Sequence, residues 1–209
     1  MARSHSSTRW LQEHFTDPYV KRAQAEGWRS RAAFKLGELI DRERLLRPGM
    51  VAVDLGAAPG GWSQMIRDRL GAHGRVIAMD MLPMQGISGV EFVLGDFRQS
   101  EALERLNEVL AGVPVDLVLS DMAPNLTGMT AIDQPRMMEL VELTDDFAMR
   151  HLCPDGVFLT KLFQGAGFDQ TIRRLRSRYR QVSIRKPKAS RARSPEVYAL
   201  ATGKRAGRK

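Results

Sequence analysis

The sequence predicts an α/β fold, a doubly wound sheet of seven strands that are mostly parallel, with the last two strands forming an antiparallel hairpin. Short apolar runs alternate along the chain with helical patterns of about ten to fifteen residues, which is typical of parallel β-α-β units. The last two apolar runs have no helical pattern between them, so we expect an antiparallel pair there. With 209 residues, 43% of them hydrophobic, the chain is long and apolar enough for a substantial core.

The elements are predicted in the following order. A helix over 30–44 ends before Pro48 and Gly49, which stop helices. We predict strands at 51–55, 75–79, 91–94, 115–119, 157–160, 182–185 and 197–201. We predict helices at 61–70, 101–110, from 135 to about 151, and 168–180. Pro135 is expected to start its helix, because proline is favoured in a first turn.

Charge is distributed unevenly along the chain, although the net charge is +8. Residues 1–47 carry 10 basic and 6 acidic side chains, residues 48–170 carry 8 and 17, and residues 171–209 carry 14 and 1. Two basic ends around an acidic centre indicate a polyanionic partner, with the segments 21–47 and 173–193 as the expected RNA-binding surfaces. The alternatives are charge that only promotes solubility and, for 204–209, a solvated tail.

Composition excludes several classes of protein. The apolar runs of five to six residues are far shorter than the roughly 20 that span a membrane, and the N-terminus lacks the apolar stretch of a signal peptide. Cys153 is the sole cysteine, so an internal disulfide and a cysteine-based metal cluster are excluded. The four histidines are scattered, so we expect no metal site. A single cysteine fits a reducing, cytoplasmic setting, which we also expect.

A glycine-rich segment, DLGAAPGGW over 54–62, lies where the first strand turns into a helix. Ligands bind at the carboxyl ends of such strands, and glycines allow a tight turn and close backbone approach. The spacing is not the GxGxxG of dinucleotide enzymes, and Pro59 removes an N–H that a pyrophosphate cradle would use. A purely structural turn is the alternative.

Three carboxylates follow the next strand ends, namely Asp80, Asp96 and Asp121. Asp80 can accept both hydroxyls of an adenosine ribose, and Asp96 can accept from the adenine amino group. Met81, Leu82 and Met84 can line the base, with ordinary core packing as the alternative for the methionines. Carboxylates in register beside a glycine turn of this type favour S-adenosylmethionine over NAD. Lys161, at the end of the fifth strand, is the only lysine between residues 36 and 185 and a candidate for chemistry. A salt bridge to a nearby aspartate is the alternative.

Taken together, the motifs resemble the FtsJ/RrmJ family of RNA ribose 2′-O-methyltransferases over about residues 7–203. The resemblance is carried by the glycine-rich segment, by Lys161, and by the segments SDMAPN (120–125), SRARSPEVY (190–198), STRWLQEHF (7–15) and RSRAAFKL (29–36). The resemblance implies a single Rossmann-like class I methyltransferase domain, with a basic helical extension over 1–47, a catalytic core over 48–203 and a basic tail over 204–209.

The resemblance also implies the site residues. The family's catalytic tetrad falls on Lys35, Asp121, Lys161 and Glu196. Its S-adenosylmethionine contacts fall on Gly60, Trp62, Asp80, Asp96 and Asp121. Pro195 departs from the family pattern, where a polar residue is expected before Glu196, and the missing N–H is expected to shift the start of the last strand.

Within the family, the chain is most similar to bacterial enzymes that methylate a uridine of the large-subunit (23S) rRNA. That similarity implies S-adenosylmethionine-dependent methylation of a ribose 2′-hydroxyl, in support of ribosome assembly. It also implies a cytoplasmic monomer whose partner is large-subunit rRNA within the 50S particle, with no membrane partner. The alternatives are tRNA or another RNA as substrate, a dinucleotide oxidoreductase, and a non-catalytic RNA-binding assembly factor.

Two roles are open for Lys161. A lysine can accept the hydroxyl proton only when neutral, so it acts either as a base or as a group that orients the hydroxyl. Lys35 and burial would lower the pKa of Lys161, whereas Asp121 and Glu196 would raise it. Lys35 and Glu196 are expected to hold the ribose and the network.

Overall fold

The computed structural model describes residues 16–191 and 193–205 of the chain. The predicted motif at 7–15 and the last four residues of the predicted tail lie outside the described residues. Within the part described, no helix is both long and apolar enough to cross a membrane.

Six α-helices and seven strands make up the described chain. The strands are β1 (Val51–Leu55), β2 (Arg75–Asp80), β3 (Val90–Leu94), β4 (Val115–Ser120), β5 (Leu152–Phe163), β6 (Tyr179–Arg185) and β7 (Glu196–Lys204). The helices are α1 (Pro18–Ala25), α2 (Ala32–Glu43), α3 (Gly61–Leu70), α4 (Ser100–Leu110), α5 (Thr130–His151) and α6 (Phe168–Arg178). A single 3₁₀ turn, Gly71–His73, joins α3 to β2.

The strands form one sheet in the order β3-β2-β1-β4-β5-β7-β6. The pairs β1–β2, β2–β3, β1–β4 and β4–β5 are parallel, while β7 is antiparallel to both β5 and β6. The predicted fold class is therefore confirmed, including the final hairpin. The strand order reverses between β1 and β4, and ligands of doubly wound sheets bind at the carboxyl ends of strands around such a switch point.

Alternate residues of each strand point to opposite faces of the sheet, so the sheet has two separate apolar layers. Val53 belongs to the layer under α4, α5 and α6, which also contains Leu106 and Phe147. Its neighbour Ala52 belongs to the layer under α2 and α3, together with Leu36. Both faces of the sheet are covered, as a parallel sheet requires.

Several helix and strand boundaries differ from the prediction. Strand β5 begins at Leu152, five residues before the predicted start, and α6 ends at Arg178, because β6 begins at Tyr179 inside the predicted helix. Helix α5 begins at Thr130, and Pro135 lies inside it rather than at its start. The side chain of Asp133 accepts hydrogen bonds from the N–H groups of Thr127 and Gly128, which secures the turn before the helix and lets it begin earlier. Strand β7 begins at Glu196, one residue before the predicted start.

Candidate active site

The four residues of the predicted tetrad meet at the carboxyl edge of the parallel strands. Strand register explains this arrangement, because Ser120 of β4 is paired with Thr160 of β5, so the residues that follow each of them are neighbours. The Nζ atom of Lys161 lies 2.6 Å from Oδ1 of Asp121, and it donates to the backbone carbonyl of Asp121 at 2.9 Å. The Lys161 side chain is buried, so this ion pair is largely shielded from water.

Glu196 links the two lysines of the tetrad. Its Oε1 atom accepts from Nζ of Lys35 at 2.6 Å and from the hydroxyl of Ser190 at 2.9 Å. Its Oε2 atom lies 3.7 Å from Nζ of Lys161. Lys35 reaches this carboxylate from α2, 161 positions away in sequence. The N-terminal helices and the last strand are thus joined at one carboxylate.

The ionised forms of this network stabilise one another. Burial disfavours the Lys161 ammonium, but Asp121 and Glu196 outweigh that effect and raise the pKa of Lys161. Burial likewise opposes ionisation of Glu196, but Lys161 and Lys35 outweigh it and lower the pKa of Glu196. Lys161 is therefore an ammonium and Glu196 a carboxylate at neutral pH.

The glycine-rich turn is built for close packing. Gly56 has φ near +78°, and a Cβ there would lie 2.5 Å from the Met122 side chain, so only glycine fits. Gly60, at φ near +106°, forms the N-cap of α3. The Trp62 indole is buried and donates to the carbonyl of Ala32 at 2.9 Å, so the side chain supports the fold. Its amide lies in the first turn of α3, where N–H groups have no acceptor within the helix.

Asp80 lies at the end of β2, beside this turn. Its two carboxylate oxygens accept from the N–H groups of Ala58 and Leu82, each at 2.8 Å. Each oxygen keeps a second lone pair that a ribose hydroxyl can use. Asp96 follows β3 and is bound to the exposed Arg98, whose hydrogen bonds lower the pKa of Asp96. Both carboxylates lie on the predicted edge of the sheet, but Asp96 already accepts hydrogen bonds from Arg98.

Comparison with known proteins identifies the family. The family model of FtsJ-like methyltransferases matches residues 28–204. The chain belongs to the FtsJ-like methyltransferase family. This membership confirms the predicted family and excludes the dinucleotide oxidoreductase that the glycine turn left open.

Several relatives of this FtsJ-like methyltransferase have names that specify their activity. Ribosomal RNA large subunit methyltransferase E of Xanthomonas euvesicatoria pv. vesicatoria is 65% identical over 98% of this chain and 97% of its own. The protein of the same name from Xanthomonas campestris pv. campestris is 64% identical over 98% of both chains. A solved structure of a Plasmodium falciparum ribosomal RNA methyltransferase superposes with a TM-score of 0.77 at 26% identity, over 85% of this chain and 98% of that one.

Tyr198 is a fifth polar member of the methyltransferase's cluster, and sequence reasoning assigned it no role. Its hydroxyl donates to Oδ1 of Asp121 at 2.7 Å. It lies directly opposite Lys161 in the β5–β7 pair, and its position two residues after Glu196 puts it on the same face of β7. The two-residue spacing between Glu196 and Tyr198 was the feature of the sequence that could have placed Tyr198 in the cluster. Burial and the neighbouring carboxylates keep the pKa of Tyr198 well above its ordinary value, so the phenol remains a donor.

Asp54 is a second residue without a predicted role, although it opens the glycine-rich motif. Its side chain is fully buried, and Oδ2 accepts from the hydroxyl of Ser63 at 2.6 Å. Its Oδ1 atom has no hydrogen-bond partner among the described residues. Burial, reinforced by the nearby Asp121 and Asp80 and partly offset by Ser63, raises the pKa of Asp54 to about 7.

The arginines of α6 divide into two sets. Arg174 and Arg178 form ion pairs with Asp145 and Asp146 of α5, at distances that include 2.9 and 2.6 Å. Arg173 and Arg176 are exposed, as is Arg180 just beyond the helix in β6. The first set is already paired with α5, so only the second set is open to a polyanion.

Proposed function

We propose that this protein transfers a methyl group from S-adenosylmethionine to the ribose 2′-hydroxyl of a uridine in the large-subunit (23S) rRNA, in support of ribosome assembly. The observation that carries the proposal is the buried Lys161–Asp121 pair, which Glu196 joins to Lys35 beside a glycine turn and at the switch point of the sheet.

The names of the relatives support the choice of RNA. Proteins called ribosomal RNA large subunit methyltransferase E are 64–65% identical and match 98% of this chain. We therefore favour large-subunit rRNA over tRNA, with the 50S particle as the physical substrate, a cytoplasmic location and a monomeric enzyme. We retain one methyltransferase domain with the divisions 1–47, 48–203 and 204–209.

The residues on the carboxyl edge suit S-adenosylmethionine. Asp80 offers free lone pairs to ribose hydroxyls, and the apolar side chains that follow it, Met81 and Leu82, are 57% and 60% exposed, as an adenine-binding surface requires. Asp96 would accept from the adenine amino group. The amide of Trp62 and the turn at Gly60 would approach the cofactor through the backbone. Bound there, S-adenosylmethionine would supply a methyl group on a positively charged sulfur.

The tetrad would act mainly by positioning. The raised pKa of Lys161 favours the orienting role over that of a base, because an ammonium cannot accept a proton. Lys161 would donate a hydrogen bond to the ribose oxygen and hold a lone pair toward the methyl carbon. Transfer of the methyl group, with S-adenosylhomocysteine as the leaving group, would make the hydroxyl proton strongly acidic. Asp121, beside Lys161, is placed to accept that proton.

Salt dependence tests the RNA-binding surfaces. We expect the logarithm of the RNA affinity to fall linearly with the logarithm of salt concentration, with a slope of about −0.7 to −0.9 for each phosphate contacted. Lys188 is exposed, and its loop is anchored beside the site by a 2.7 Å hydrogen bond from its amide to Glu38. Lys188→Ala should reduce the steepness of the slope by about 1, whereas Arg69→Ala, in an exposed pair with Asp41, should not. A flat salt dependence of the wild type would contradict an electrostatic groove.

Mapping of 2′-O-methylation across total RNA tests the function itself. Cells without the gene should lose the modification at one uridine of the 23S rRNA, and wild-type protein should restore it. Restoration should fail with a Lys161→Ala variant expressed to the same level, which distinguishes an enzyme from a non-catalytic assembly factor. Loss at a tRNA position, or no loss at all, would contradict the proposed substrate.

A further inference from the structure

Arg29 joins two segments that are distant in sequence. It lies between α1 and α2, in the basic segment expected to bind RNA, but its guanidinium group is turned toward the glycine-rich segment. The group donates to the carbonyl of Pro59 at 3.3 Å, to that of Gly86 at 2.7 Å, and to that of Gln85. Three of its five N–H donors are therefore already used by backbone carbonyls.

The backbone of Arg29 is held as firmly as its side chain. Gln64 of α3 accepts from the Arg29 amide at 3.0 Å and donates to the carbonyl of Gly27 at 2.9 Å. A Cβ at Gly60 would lie 3.1 Å from Cδ of Arg29. These contacts place the guanidinium directly against the glycine-rich turn.

The two segments that Arg29 joins are the two walls of the nucleoside site. Pro59 belongs to the glycine-rich turn, and the segment 81–89 continues from Asp80 with the exposed Met81 and Leu82. Among the described residues, Arg29 provides the hydrogen bonds that connect Gln85 and Gly86 to the turn. Without the guanidinium, Gln85 and Gly86 would lose these hydrogen bonds, and the segment would be held against the turn only by the Asp80–Ala58 hydrogen bond and by Ile87, which packs beside Gly60.

We propose that Arg29 is a positioning residue for the cofactor: it holds the segment 81–89 against the glycine-rich turn and so sets the affinity for the adenosine part of the ligand. The proposal rests on the proposed function, since it takes S-adenosylmethionine as the ligand. It assigns Arg29 to the cofactor site and not to the phosphate-binding surface. Arg29 does not act on the reacting atoms, so its replacement should change the cofactor affinity and not the rate of methyl transfer.

Cofactor binding to three variants of the full chain tests the proposal. Arg29→Ala should raise the dissociation constants of S-adenosylmethionine and S-adenosylhomocysteine, measured by calorimetry, by about tenfold, the effect of losing one to two net hydrogen bonds. The KM for S-adenosylmethionine should rise by a similar factor, with kcat within about twofold of wild type. Arg29→Lys should recover only part of the affinity, because one ammonium cannot reproduce the planar fork. Arg69→Ala removes an exposed arginine from α3 and should leave the affinity unchanged.

Hydrogen exchange provides a readout that does not depend on activity. In Arg29→Ala, amides of 81–89 should exchange faster than in wild type, while those of α3 keep their protection. Unchanged cofactor affinity together with weakened RNA binding at low salt would overturn the proposal and make Arg29 a phosphate contact. A fall in kcat with unchanged KM would also overturn it. If wild-type protein binds neither adenosine ligand, the proposed function itself has failed.

Discussion

Replacing Lys161 with alanine should slow methyl transfer under single-turnover conditions by at least about a hundredfold, because a positioned group that orients or stabilises the reacting atom commonly contributes 10²–10⁴. The affinity for S-adenosylmethionine should stay within about twofold, since Asp121 is the one predicted cofactor contact that Lys161 pairs with, and the variant retains Asp121. The measurement is transfer of labelled methyl to 50S particles at saturating cofactor.

Two further variants make this test specific. Lys161→Met keeps most of the side-chain volume and removes the charge, so it should be as slow as the alanine variant if the ammonium is what matters. Arg69→Ala is the matched control, because it removes an exposed cation outside the site. A near-wild-type single-turnover rate in either Lys161 variant, with normal cofactor affinity, would refute the assignment.

The pH profile of the wild-type rate separates the two roles that were open for Lys161. Because the pKa of Lys161 is raised, a neutral lysine base would make the rate increase up to strongly alkaline pH. An orienting ammonium instead predicts a rate that is level through neutral pH. We expect the level profile.

Replacing Asp54 with asparagine should change how the stability of the protein depends on pH. The pKa of Asp54 is raised from its ordinary value of 3.8 to about 7 by burial. Between these two values, the folded protein retains a proton that the unfolded chain has lost, so wild-type stability falls as pH rises and levels off above about 7. Asparagine carries no titrating group, and the variant lacks this contribution.

The measured quantity is the difference in unfolding free energy between wild type and Asp54→Asn, from denaturant titrations at several pH values. From pH 5 to pH 8, the wild type should lose about 2–3 kcal/mol of unfolding free energy relative to the variant, which corresponds to roughly two pH units of linked titration. Asp68→Asn changes an exposed carboxylate on α3 and should show no such shift. A difference that is constant with pH would mean that Asp54 stays ionised in the fold.

The carboxyl-edge site was predictable because parallel strands bring their ends to one edge. Asp80, Asp96 and Asp121 each follow a strand, so their common location needs only the strand assignments and the parallel topology. Glu196 was harder to place from periodicity, since it lies in an antiparallel hairpin, and its assignment relied on the family motif. Although Pro195 departs from the family pattern, Glu196 still lies in the cluster. The Pro195 carbonyl accepts from the Gln164 amide at 2.9 Å and anchors the start of the strand.

By itself, the sequence determined the α/β fold, the mostly parallel sheet with its final hairpin, the glycine turn and the residue types of the site, because hydrophobic periodicity and turn chemistry are local properties. Only the tertiary structure decided which charges are paired. Lys35 meets Glu196 across 161 positions, and Arg29 donates to three backbone carbonyls although it lies in a basic segment expected to bind RNA. The protonation states of Lys161 and Asp54 were decided there as well, because a pKa depends on burial and on nearby charges that sequence spacing does not contain.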